Sequence, residues 1–167
     1  MLVTPPLRAR VARGTTALAA HDINDVLTGR LDGWRAASYM LAIHPMTGVG
    51  LGGFVPAFAD ARLALLDRGV DFYPYQTQTM FATPHNEVLS VGAEQGWPGL
   101  LALAWGIALL VRAAWRLRDP GARGLAWGGL TALAVLSLTW FPFHAAAVAW
   151  PWLVWLAWLD RASEAAS

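Results

Sequence analysis

The stretch Pro84-His85-Asn86-Glu87-Val88-Leu89, which runs on to Glu94-Gln95-Gly96-Trp97-Pro98-Gly99, divides this chain into two parts of different character. A polar segment with one histidine ends at a glycine-proline turn, and a long apolar run follows at once. We therefore expect His85 to lie in water, close above a bilayer surface. An imidazole accepts a proton readily near neutral pH, so His85 is the candidate base for chemistry at that surface.

The composition favours a membrane protein. Of the 167 residues, 56% are hydrophobic and 14% are charged, whereas soluble domains carry about 25% charged residues. The chain has no cysteine, which excludes disulfides, thiolate metal sites and a cysteine nucleophile. We expect membrane lipid as its surroundings and no nucleic-acid partner.

An almost wholly apolar block, residues 97–159, predicts three transmembrane helices. They cover about residues 97–114, 125–143 and 145–159. The second span has no charged residue. The third is shorter and carries Pro151, so we expect it to be tilted, kinked or only just long enough to cross. Residues 160–167 form a tail.

The loop between the first two spans sets the predicted topology. From Arg112 to Arg123 it holds four arginines and one aspartate, a pattern typical of cytoplasmic loops. Residues 1–96 then lie on the outer face, and the tail 160–167 is cytoplasmic. The fold class that we predict is an all-α, polytopic integral membrane protein, in which a mostly helical outer segment precedes the three spans.

The outer segment predicts two helices. One of about 11 residues begins after Asp32, a good N-cap, and ends at His44-Pro45. The second covers Phe54 to Asp67 and stops near Gly69. The run from Phe72 to Pro84 has no period and indicates a loop.

Two motifs have a structural interpretation. Residues 48–53 match G-x-G-x-x-G, but a dinucleotide site needs a strand before the glycines, and here a helix precedes them. A glycine turn that packs closely on a neighbouring backbone is the better interpretation. The four histidines show no metal-ligand spacing, so we expect neither a metal nor another cofactor: His21, His44, His85 and His144.

Three elements occur in a fixed order along the chain. Gly29-Arg30 with Trp34 gives G-R-x-x-x-W, and residues 44–54 give H-P-x-x-G-x-G-x-G-x-F. The third element is H-N-x9-G-x-x-G, in which nine residues separate His85-Asn86 from Gly96, and Gly99 follows. The ordered set resembles the O-antigen ligase and O-antigen polymerase family, over about residues 27–159. The turn Phe141-Pro142-Phe143 is also similar to a late turn of that family.

The resemblance implies an activity. Family members transfer a glycan from undecaprenyl diphosphate to an acceptor, such as the lipid A-core of lipopolysaccharide, at the periplasmic face of the bacterial inner membrane. Such a reaction needs a base and a cation clamp, and it implies a metal-independent glycosyltransferase.

The resemblance also implies roles for particular residues. His85 takes the proton from the acceptor hydroxyl. Arg30 binds the diphosphate, with Arg35 ranked second, because a guanidinium fork matches phosphate oxygens. Supporting positions follow from the same elements: Asn86, Glu87, Gly96 and Gly99.

Alternatives remain open at this point. A repeat-unit polymerase and a protein O-oligosaccharyltransferase share the same motifs. A non-catalytic scaffold or transporter is a different class, but transporters place charges inside their spans, and here polarity is concentrated in the outer segment. Because the family has many more spans than three, we expect this chain to be the C-terminal part of a larger bundle and inactive alone.

Overall fold

The computed structural model of the protein describes residues 15–16, 27, 29–72, 83–139 and 146–164. Throughout this part of the chain the regular structure is helical and no strand occurs, which confirms the all-α class. Among the described residues from 29 onward, five helices follow one another: α1 (Arg30–Ile43), α2 (Phe54–Leu66), α3 (Glu87–Arg116), α4 (Pro120–Thr139) and α5 (Ala146–Glu164).

Helix α1 begins earlier than the sequence predicts. Its N-cap is Gly29, in a left-handed conformation with φ 78°, so the prediction of Asp32 as the cap was wrong. The Asp32 amide donates to the Gly29 carbonyl at 3.0 Å, which places Asp32 inside the first turn, where it is buried. The end of α1 is as predicted, because His44 is the C-cap and Pro45 follows it.

Helix α2 has the predicted bounds to within one residue. It starts at Phe54 and ends before Asp67, and Gly69 lies just beyond with φ 75°. Helices α1 and α2 pack on each other and on the start of α3 through a cluster of buried apolar side chains, which we call the outer core: Ala36, Ala37, Met40, Phe54, Phe58, Ala61 and Ala93.

Helix α3 consists of two halves that meet at a break. Gly96 has φ 66° and ψ −159°, which is not helical, and it separates the polar half (87–95) from the apolar half (97–116). The Trp97 amide, which has no helical partner at this break, donates to the carbonyl of Pro45 at 2.7 Å. The glycine-proline turn in the sequence is therefore this break.

The glycine loop of residues 44–53 docks on the same break. The amides of Val49 and Gly50 donate to the carbonyls of Ala93 and Glu94 at 2.8 and 3.0 Å. The loop is thus a turn packed closely on a neighbouring backbone, as the sequence predicts, with helices on both sides and no nucleotide-binding strand before it.

Glu94 ties the loop to the start of α2. Its two carboxylate oxygens accept hydrogen bonds from the amides of Gly52, at 3.1 Å, and Phe54, at 3.2 Å. The first amides of a helix lack helical partners, and a carboxylate there is favoured by the helix dipole. One side chain of α3 therefore caps α2.

Two helices of the described chain are long and apolar enough to cross a membrane, α3 and α4 up to Leu138. Large apolar side chains cover their outer surfaces, for example Trp105 and Leu125, which are 68% and 67% exposed. Helix α5 is present over 146–164 and contains Pro151, but it does not meet the same criterion. Its crossing of the membrane stays a prediction.

Each of the three long helices runs antiparallel to the one before it, so α3 and α5 run in the same direction. At one end, the Asn86 amide nitrogen donates to the carbonyl of Leu138 at 3.2 Å, which joins the start of α3 to the end of α4. At the other end a second buried cluster joins all three helices: Ala114, Leu117, Ala126 and Leu159. His85 and the 112–123 loop therefore lie at opposite ends of the bundle.

The docked loop generates a test of the fold. Gly48 and Gly50 both have positive φ, 61° and 94°. A Cβ added at Gly48 would collide with the backbone of Glu94, whereas a Cβ added at Gly50 would have no other atom within 4 Å. We expect Gly50→Ala to cost only the left-handed strain of about 1–2 kcal/mol. Gly48→Ala should lower the midpoint of thermal unfolding in detergent by clearly more. Equal shifts for the two variants would contradict the docking.

Candidate active site

His85 lies in a tight turn directly before α3. Its φ is 52°, a left-handed conformation that few non-glycine residues adopt, and its amide donates to the Thr83 hydroxyl at 3.4 Å. Non-glycine residues held in this region cluster at functional sites. The turn presents a half-buried imidazole immediately ahead of the helix start.

Helix α1 approaches this turn closely because Gly33 has no side chain. A Cβ at Gly33 would lie 3.2 Å from the Cα of Pro84, tighter than ordinary contact. Pro84 itself is buried. Gly33 therefore brings the first turn of α1, which carries Arg30, against the turn that carries His85.

Burial and charge together set the protonation of His85. Its pKa is lowered from the ordinary value of 6.5, first because the ring is partly desolvated and second because the Arg30 guanidinium lies close enough to oppose a second positive charge. The imidazole is consequently neutral near pH 7 and has a lone pair available to accept a proton. Arg30 and His85, far apart in the sequence, meet in one place.

The side chain of Asn86 links the turn that carries His85 to both α3 and α4. Its side-chain oxygen accepts the Leu89 amide at 3.0 Å and caps α3, and its nitrogen donates to Leu138 of α4. Glu87 follows it and is buried, with 9% exposure, in the first turn of α3. Both residues follow His85 directly in the chain, and their supporting role stays a prediction.

The two supporting glycines belong to the break in α3. A Cβ at Gly96 would lie 2.5 Å from the Pro45 carbonyl oxygen, and one at Gly99 would collide with Gln95. Both glycines are buried. They allow the loop and the two halves of α3 to meet, at some distance along the chain from His85.

Arg35 is engaged elsewhere. Its guanidinium donates to the Asp71 carbonyl at 2.5 Å and lies 3.8 Å from the Asp32 carboxylate. Five residues on from Arg30, it lies about 140° around α1. The structure thus brings Arg30 to His85 and directs Arg35 to the chain that follows α2.

Three residues contribute to the site without having been singled out from the sequence. The Thr83 hydroxyl accepts a hydrogen bond from the His85 amide, and the Leu138 carbonyl accepts one from the Asn86 side chain. Gly33 lets α1 pack closely against Pro84. A single glycine in a helical pattern has no one structural meaning, so the sequence alone does not single out Gly33. Thr83 and Leu138 act through contacts that the sequence does not signal.

Fold and site together define a helical membrane protein with a histidine and an arginine paired at the end of its bundle. The chain belongs to the O-antigen ligase family, whose model matches residues 7–104, more than half of the sequence. The match includes α1, α2, the docked loop and most of α3 up to residue 104. No significant match was found among curated proteins or among solved structures.

Family membership confirms the resemblance seen in the sequence. The family is membrane-embedded, and its members are glycosyltransferase-like enzymes of the O-antigen ligase or polymerase type. In general they use a lipid-linked glycan and a lipopolysaccharide acceptor. All three sequence elements, from Gly29 to Gly99, lie within the matched residues.

The pairing of Arg30 with His85 predicts a measurable pKa change. Arg30→Gln removes the charge that opposes the imidazolium, so the pKa of His85 should rise. Burial is the larger cause and remains, so the pKa should stay below 6.5. A pH titration of the ring resonances by NMR in detergent measures it. Arg35→Gln is the matched control and should leave the pKa of His85 unchanged. An equal rise of this pKa in both variants would contradict the pairing.

Proposed function

We propose that the protein transfers a glycan from undecaprenyl diphosphate to a hydroxyl group of the lipid A-core, at the periplasmic face of the bacterial inner membrane. The observation that carries this proposal is the close approach of α1 at Gly33 to the turn at Pro84, which brings Arg30 near a His85 whose pKa is lowered. A neutral base beside a permanent cation is what transfer from a diphosphate leaving group needs.

The proposed step uses both side chains at once. The neutral imidazole of His85 takes the proton of the acceptor hydroxyl, whose oxygen forms a bond to the anomeric carbon of the glycan. The bond from that carbon to the diphosphate oxygen breaks, and the diphosphate leaves with the electron pair. Arg30 binds the diphosphate and stabilises the negative charge that develops on it. The step uses no metal and no other cofactor.

The same step serves two related activities. A repeat-unit polymerase and a protein O-oligosaccharyltransferase differ from a ligase in the acceptor, while the base and the diphosphate clamp are the same. The choice of the ligase among them rests on the family description. Transfer assays with lipid A-core, a second repeat unit and an acceptor peptide separate the three.

Replacing His85 tests the base. In the complete enzyme that carries this segment, His85→Ala should lower the rate of glycan transfer by about 10²–10⁴ while insertion into the membrane is unchanged. His44→Ala is the matched control, because His44 is exposed at the end of α1, and it should keep near-normal transfer. Normal transfer by His85→Ala would remove His85 from the mechanism.

The proposed orientation has its own test. The chain has no cysteine, so a single introduced thiol reports its location. We expect Leu51→Cys, in the exposed docked loop, to react with an impermeant thiol reagent in cells with a permeable outer membrane. Gly121→Cys, in the arginine-rich loop, should react only after the inner membrane is opened. Outside labelling of Gly121→Cys would reverse the orientation.

A further inference from the structure

A wide groove lies on the side of α1 opposite to the outer core. It has a volume of about 780 Å³ and is bounded by α1, the end of α2 and the chain up to Asp71. Pockets for small molecules have volumes of about 300–1,000 Å³. The size therefore suits a ligand of one or a few ring units. The transfer step proposed above gives this groove no role.

The groove begins where the His85 site ends. Leu31, Trp34, Arg35 and Ser38 follow the i, i+3, i+4, i+7 spacing and form its helical wall, whereas Gly33 is turned to Pro84. Arg30 lies between these two faces, one turn before Trp34. A substrate group held at Arg30 can therefore extend directly along the groove without crossing the outer core.

The lining combines aromatic rings with polar groups. Trp34 and Tyr39 contribute aromatic rings to the lining, and Arg35, Ser38 and Asp71 contribute hydrogen-bond donors and acceptors. Two of these groups are held in place: Arg35 donates to the Asp71 carbonyl, and the Arg68 guanidinium lies 4.8 Å from the ring centroid of Tyr39. A groove with fixed walls loses less entropy on binding.

Trp34 contributes its aromatic ring, and not its hydrogen-bond donor, to the groove. Its indole nitrogen is buried and has no acceptor among the residues that the structure describes. An atom shielded from solvent is not reached from the groove, so this nitrogen takes no part in the lining.

These features fit a saccharide better than an anion or a hydrocarbon. A sugar ring packs its C–H face on an aromatic ring, whose face carries partial negative charge, and its hydroxyls bond to polar side chains around the edge. An anion would meet the negative charge of Asp71, which lines the groove, and a hydrocarbon would leave Arg35 and Asp71 without water.

We propose that this groove, with Trp34 at its centre, is a subsite that binds the saccharide chain of a substrate next to the Arg30–His85 site. The inference rests on the proposed function. It adds the location at which the glycan, as distinct from the diphosphate, is recognised. The glycan of the donor and that of the acceptor share this chemistry, and the experiment separates them.

The test measures the dependence of KM on glycan length in the complete enzyme. One series uses undecaprenyl diphosphate donors with short and long glycans and a fixed acceptor; the other uses acceptors of short and long glycan with a fixed donor. The wild-type KM should fall with length in one series. That series identifies whether the donor or the acceptor occupies the groove.

Two variants place the effect in the groove. Trp34→Ala should raise KM for the longest glycan by roughly tenfold, the scale of one lost stacking contact. Ser38→Trp fills the groove from an exposed position on α1 and should raise the same KM without disturbing the outer core. Ala59→Trp, an exposed alanine on α2 outside the groove, is the matched control and should leave the length dependence intact.

The outcomes are distinguishable. If the wild type transfers glycan but Trp34→Ala and Ser38→Trp keep its length dependence in both series, the subsite is refuted while the proposed function stands. If the wild type transfers from no donor, the proposed function fails and the subsite with it. A thermal unfolding midpoint for each variant confirms that a raised KM is not a lost fold.

Discussion

The contact on which the site depends is the docking of the glycine loop on the end of the polar half of α3. Amides of Val49 and Gly50 reach carbonyls that the break at Gly96 leaves without helical partners. The approach is possible only because Gly48 and Gly96 have no side chains. Since the loop joins α1 to α2, this contact fixes both helices over α3 and holds Gly33 of α1 against Pro84.

From this packing the chemistry of the site follows. Hydrogen bonds of Asn86 to α3 and α4 fix the turn at His85, and α1 packs against the same turn. Together these contacts leave the imidazole partly desolvated near Arg30. Under the proposed function this pairing has a useful consequence. When a diphosphate binds Arg30, its negative charge offsets the guanidinium, the pKa of His85 rises, and the imidazole becomes a stronger base only when the donor is in place.

The sequence predicts the features that local backbone chemistry decides. His44-Pro45 ends α1, Phe54 starts α2 and Gly96 breaks α3, because proline and glycine restrict or free the backbone wherever they occur. The start of α1 was missed because Gly29, not Asp32, turns the chain into the helix. Glu94 binds amides 40 and 42 residues away, and Arg35 a carbonyl 36 residues away; no local pattern reveals such partners.

The central claim is that Arg30 and His85 act as one site, and a double-mutant cycle tests it most directly. The values of kcat/KM for glycan transfer are measured for the wild type, Arg30→Gln, His85→Gln and the double variant. Because the two groups interact electrostatically, we predict a coupling free energy on the order of 0.5–3 kcal/mol, so the double variant should be less impaired than the two single losses combined. Losses that simply add would show that the two residues act independently and would contradict the account.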